Sequence, residues 1–202
     1  LGAAIARTLA VEGAEVVAIA RKVDAIEAWI ADLPAGSEVT AKGVDLSDLG
    51  QVDAMIAEAG NVDILVNNIG GPPPGAAKDT GRAAWIAQFE AMAANLFHIT
   101  QALLPGMTGR GWGRVLTIGS SGIEQPIPNL ALSNGIRGAI AGWSKTLAAE
   151  VAGTFTMIGS AFTFIQSELL SITDTGRVTV TAQAWERKPS NASISSRSRP
   201  SM

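Results

Sequence analysis

The chain has 202 residues, a formal net charge of −3, 47% hydrophobic and 16% charged residues, which suits one domain with a substantial buried core. The absence of a basic excess argues against a nucleic-acid partner, because binding phosphates requires clustered cations. With no cysteine and a single histidine, His98, the chain lacks the residues for disulfides, thiolate zinc sites, cysteine nucleophiles and multi-histidine centres, so no metal site is expected.

In chain order, "LGAAIARTLAVEG" reads as a helix stopped by Gly13 and "AEVVAIA" as a buried strand. "KVDAIEAWIADL" is an amphipathic helix ended by Pro34, and "EVTAKGVDL" a shorter strand. "SDLGQVDAMIAEAG" is a helix capped by Ser47 or Asp48 and stopped by Gly60. "VDILVNNIGG" is a strand entering a glycine turn, followed by the loop "GGPPPG". A long helix is expected over about 81–104, then the buried strand "GRVLTIGSSG" and a helix over 130–151. This alternation predicts an α/β fold, a doubly wound parallel sheet with helices on both faces. Ligands of such sheets bind at the carboxyl ends of the strands.

Beyond Val151 the pattern weakens. "GTFTMIGSAFTFIQSELLSITDTG" has no clean period, while "GRVTVTAQAW" offers one further strand near 178–182. "RKPSNASISSRSRPSM", from Arg187 onward, has almost nothing to bury and is expected to be disordered. The division read from this is a nucleotide-binding part over 1–151, a divergent part over 152–186 and a tail over 187–202. The uncharged run 151–167 is diluted by Thr, Ser, Gly and Gln, so no membrane partner is expected. A cytoplasmic setting follows from the cysteine-free composition. The opening Leu1, in place of Met, reads as an N-terminal truncation.

Four stretches in order carry a family resemblance: "LG" opening the first helix, "NNIG" at 67–70, "IGSS" at 118–121 and "GWSKTLAAEVA" at 142–152. Together they resemble the short-chain dehydrogenases/reductases, in particular the 3-oxoacyl-acyl-carrier-protein reductase-like branch, over roughly residues 1–151. The resemblance implies a Rossmann-type sheet whose first strand and glycine loop are largely missing here. It also implies an NAD(H)- or NADP(H)-linked oxidoreductase acting on a carbonyl or a secondary alcohol. Oligomers would form through the helices near 81–104 and 130–151.

Gly2 is then the tail of a glycine-rich loop, where a pyrophosphate approaches backbone amides at a helix N-terminus. After the second family strand a carboxylate would bind the adenosine ribose, but the chain has Ala20, Arg21 and Lys22. A cation without that carboxylate favours a 2′-phosphate, hence NADP(H) over NAD(H). Asp45 resembles the aspartate beside the adenine ring, and it equally suits a turn or helix cap. Asn67 and Gly70 match the turn that lines the cofactor site, with a purely structural role for Asn67 as the alternative.

The family pairs a serine, a tyrosine and a lysine with a helix asparagine. Ser120 matches the serine and Asn95 the asparagine, which by resemblance holds a water for proton resupply. The tyrosine and lysine positions fall on Ser133 and Arg137, and the chain contains no tyrosine at all. A phenol with a pKa near 10 can be brought toward working pH by a neighbouring ammonium. A serine hydroxyl is not a useful acid there, and an arginine stays charged, so Arg137 suits holding a cofactor ribose or phosphate. Lys145 cannot stand in, because it lies two helical turns beyond Arg137. His98 reads as a packing or interface residue. The sequence therefore leaves three readings: an impaired reductase, a non-catalytic nucleotide-binding or oligomer-partner relative, and an unstable gene fragment.

Overall fold

The computed structural model describes residues 1–152 together with the backbone of 156–161 and 177–182. The expected tail over 187–202 lies outside the described residues. Helix α1 (Gly2–Val11) turns at Gly13, with a φ of 89°, into strand β1 (Glu15–Ala20). Helix α2 (Val23–Ile30), strand β2 (Val39–Gly43), helix α3 (Leu49–Glu58) and strand β3 (Ile64–Asn68) follow. Helix α4 (Arg82–Phe89), a π-helical turn (Glu90–Ala94), helix α5 (Asn95–Arg110) and strand β4 (Gly113–Ile118) come next. Helix α6 (Ala131–Val151) leads to strands β5 (Thr156–Ala161) and β6 (Arg177–Ala182).

The six strands form one sheet in the order β2-β1-β6-β3-β4-β5, and every ladder is parallel. Strand residues alternate between two apolar layers, as the two-residue period requires. Val16, Ala18, Ile64 and Val66 pack with Ala6, Ala10 and Ile26 of α1 and α2. Ile19, Leu65 and Val115 pack on the other face with Val52, Ile99 and Met107 of α3 and α5. Strands covered on both faces need apolar side chains on both, which is why their sequences read as continuous hydrophobic runs. A third cluster, with Leu96, Leu132, Ile136 and Ile140, joins α5 to α6.

Local chemistry explains the departures from the sequence reading. The long helix is not uniform, because a π-helical turn interrupts it at Glu90–Ala94. It also runs past Leu104 and through Pro105 to Arg110, stopping at Gly111 with a φ of 67°. Pro105 and Gln101 are both exposed, so the carbonyl that loses its donor is left to solvent. Helix α2 ends at Ile30, a turn before Pro34. Asp48 is the cap of α3, accepting the Gln51 amide at 3.2 Å, whereas Ser47 donates to Asp45. Strand β5 has no counterpart in the sequence reading. Among the described residues no helix is long and apolar enough to cross a membrane, and no group of three His, Asp or Glu could hold a metal ion.

Candidate active site

The carboxyl ends of β1, β3 and β4 face the N-terminus of α1 across a cleft of about 380 Å3. Gly2, Ala3, Ala6, Ala18 and Ala20 give it small walls, and Ile69, Gly119 and Arg137 line its other side. The first N–H groups of α1, as in any helix, lack intrahelical acceptors and point their partial positive charge toward the cleft. Small residues at that end let a ligand approach the backbone closely.

Arg137 is bound to main-chain carbonyls at the side of the cleft. Its Nη1 donates to the Ile118 carbonyl at 2.8 Å, and its Nη2 to the carbonyls of Ile69 at 3.2 Å and Gly70 at 3.5 Å. One guanidinium thus ties the end of β4 to the turn after β3, which a planar fork of donors can do and an ammonium cannot. Burial draws its pKa down, yet a guanidinium remains charged at neutral pH.

Ser133 lies one helical turn before Arg137 on α6, so the two share a helix face. It is half-buried. Ser120 directly follows the cleft residue Gly119 and accepts the Gly122 amide at 3.1 Å, opening a short 3-10 turn. Gly122 leaves room there: a Cβ would run into the Asn134 side chain on α6, which would have to shift. This contact seats the Ser120 turn against the helix that carries Ser133 and Arg137.

The two asparagines occupy a different place. Asn95, directly after the π-helical turn, donates to the Leu46 carbonyl at 2.8 Å. Asn67 donates to Thr100 Oγ1 at 3.2 Å and Thr117 Oγ1 at 3.5 Å, joining β3 to α5 and β4. Both border a void of about 10 Å3, the smallest that holds one water. Asn67→Ala strands the Thr117 hydroxyl and is expected to destabilise the fold by about 2 kcal/mol. Urea unfolding measures it, and a loss below about 0.5 kcal/mol would contradict a core-tying role.

Arg21 is exposed just beyond Ala20, at the rim of the cleft and not in its wall. Asp45 is drawn into a turn: Ser47 donates to its Oδ1 from the main-chain N at 2.9 Å and from the hydroxyl at 2.7 Å. Those two bonds, aided by the Arg21 charge and opposed by burial, hold its carboxyl below the usual range. His98 pairs with Asp53 at 2.7 Å, linking α5 to α3 away from the cleft. Among the predicted residues, then, Gly2 and Arg137 line the cleft with the Gly70 carbonyl in contact, Ser120 flanks it, and Asn67 and Asn95 lie outside its lining. The sequence reading missed Ile26 and Trp29 of α2, which complete the wall, and the Gly122–Asn134 contact. Only the glycine after "SS" hinted at the latter.

A parallel sheet with helices on both faces and a cleft at its carboxyl edge, beside a helix N-terminus, is the layout of a Rossmann-type α/β fold. The family model of the short chain dehydrogenases matches residues 1–171. The chain belongs to the short-chain dehydrogenase family. It is 32% identical over 163 residues to a D-beta-hydroxybutyrate dehydrogenase of Cupriavidus necator, covering 76% of this chain and 62% of that one. A metagenomic short-chain oxidoreductase solved in complex with NADP is 28% identical, with a TM-score of 0.72 over 80% of this chain and 75% of that chain. The actinorhodin polyketide ketoreductase solved with NADPH is also 28% identical, with a TM-score of 0.71 over 78% and 63%. The chain spans about three-fifths of the length of the curated relatives it matches.

Proposed function

We propose that the chain binds NADP(H) in this cleft and acts on a carbonyl, 3-oxoacyl-like, or on the corresponding secondary alcohol, with chemistry weakened at the proton donor. The observation that carries this reading is the cleft itself: small residues and a helix N-terminus facing the strand ends, with Arg137 at the side. The walls suit a dinucleotide, because Gly2 and the alanines leave the backbone open and none of the described lining residues is a carboxylate. Gly2 and its neighbouring amides would hold the phosphates, Arg21 a 2′-phosphate, and the Gly70 turn the nicotinamide end. Asp45 would border the adenine. When bound, such a cofactor supplies or accepts the hydride.

This chain's own residues would orient the substrate oxygen through the Ser120 hydroxyl, whose oxygen is already positioned by Gly122 N–H. Ser133 would add a second, weakly acidic hydroxyl. Asn95 would act through the water-sized void it shares with Asn67. The relatives solved with NADP and NADPH support the choice of dinucleotide. Arg21→Asp tests it: NADPH affinity is expected to fall at least tenfold while NADH affinity is kept or gained, read by fluorescence titration. Equal losses for both dinucleotides would contradict a 2′-phosphate contact.

A second reading, a non-catalytic nucleotide-binding relative, is favoured by the use to which Arg137 is put, all of its observed bonds running to main-chain carbonyls. Either reading accommodates a homo-oligomer through α4–α5 and α6. The aromatic run there supports it, with Phe97 stacked on Trp143 at 4.3 Å and Phe89 and Ile86 exposed beside them.

A further inference from the structure

A dinucleotide held as proposed above would not need the α2 side of the cleft. Ile26 and Trp29 of α2 stand there with Ala6 of α1 and Ala18 of β1. Ala6, Ala18 and Ile26 are each at most 4% exposed, so the cleft reaches down to side chains of the apolar core. Trp29 packs against the same cluster, and the Arg7 guanidinium lies 5.9 Å from its ring centroid, which helps to fix the indole. This wall offers hydrocarbon and an aromatic surface but no charge.

On the other side, Arg137 is the only charged side chain among the described lining residues. Its observed bonds run to the carbonyls of Ile118, Ile69 and Gly70, which satisfy donors but neutralise no charge. A guanidinium has five N–H groups, so three bonds leave donors to spare. A partly desolvated cation without a counter-charge is costly, and an anion brought to it between apolar walls is held more strongly than in water. The cleft volume of about 380 Å3 falls among small-molecule pockets, about 300–1,000 Å3, which are mostly apolar with a few placed polar groups.

We propose that this cleft also binds a small apolar monocarboxylate, with its carboxylate on Arg137 and its apolar body against Ile26, Trp29 and the alanines. One charge on an apolar body matches one guanidinium beside an apolar wall. The carboxylate gains charge-assisted bonds to the guanidinium. An alcohol of the same shape leaves the cation without its counter-charge, and an ammonium is repelled by it. The site rests on the α2 wall and Arg137, not on the amides of α1 or on Arg21. It therefore stands or falls apart from the dinucleotide reading.

Isothermal titration of the full chain with octanoate, in the absence of dinucleotide, is expected to show one site with a Kd below about 1 mM. Octanol and octylammonium are expected to bind at least tenfold more weakly. Arg137→Gln should weaken octanoate at least tenfold and leave octanol as it was. Equal affinity for octanoate and octanol would overturn the charge pairing. No octanoate binding by a cooperatively folded chain would overturn the site. A second measurement needs no substitution: NMR amide shifts on adding octanoate to the unaltered chain are expected at Ala20, Ile26 and Gly119. Shifts confined to the exposed Ile86 and Phe89 would equally overturn the proposal.

Discussion

Ser133→Tyr combined with Arg137→Lys is expected to raise NADPH-dependent reduction of a 3-oxoacyl thioester or a small ketone by about 10²–10⁴-fold over the unaltered chain. The expectation rests on where the two residues stand. They lie one turn apart on one face of α6, beside the turn that fixes Ser120 and next to the carboxyl ends of β3 and β4. Hydride transfer to a ketone builds negative charge on oxygen, so a positioned acid lowers the barrier. A serine hydroxyl is too weak an acid for this and lacks the reach of a ring. A phenol next to an ammonium has its pKa drawn down toward the working range. Steady-state rates at saturating NADPH, measured well below the melting temperature, test the prediction. If the double variant binds cofactor and stays folded but reduces nothing above background, the exchanged pair is not what limits this chain.

Arg137→Ala is expected to destabilise the fold by about 3 kcal/mol, because it leaves three carbonyls at the ends of β3 and β4 without their charged donor. Removing a buried charge offsets part of the loss. For a chain of this size the melting temperature would fall by about 6–12 °C. Arg137→Lys should lie between, since an ammonium has donors but cannot span both strand ends with one planar group. The first prediction therefore carries its own stability penalty, and activity must be compared per folded molecule. An Arg137→Ala variant that melts within about 2 °C of the parent would show that the guanidinium does not hold the two strand ends together. Its position would then be free for a cofactor role.

The sheet was legible wherever a strand is covered on both faces. "VVAIA" and "DILVN" could be little else, and the helices between them announced their ends through Gly13, Asp48 and Gly60. The π-helical turn at Glu90–Ala94 was not legible, because it has no residue signature of its own. "TMIGSA" escaped notice because glycine, threonine and serine dilute its apolar pattern, and only pairing with β4 makes it a strand. "RVTVTA" shows the opposite limit: its strand character was readable, its place between β1 and β3 was not. That place depends on pairing with β1 and β3, which lie far away in the sequence.

The site divides in the same way. Counting along α6 was enough to put Ser133 and Arg137 one turn apart on one helix face. That Arg137 spends its donors on Ile69, Gly70 and Ile118 depends on three segments converging in space, as does the tethering of Asn67 by Thr100 and Thr117. Asp45 left a cap and a cofactor role open, and its two bonds from Ser47 make it a turn residue whatever else it borders.

Titration of the 202-residue chain with NADPH, followed by nicotinamide fluorescence on a sample with a cooperative thermal melt, tests the central claim most directly. Saturable binding in the micromolar range, competed by NADP+, is the result expected for a dinucleotide cleft. A cooperatively folded chain that leaves NADPH fluorescence unchanged to millimolar concentration, and whose melting temperature does not rise with ligand, would contradict it.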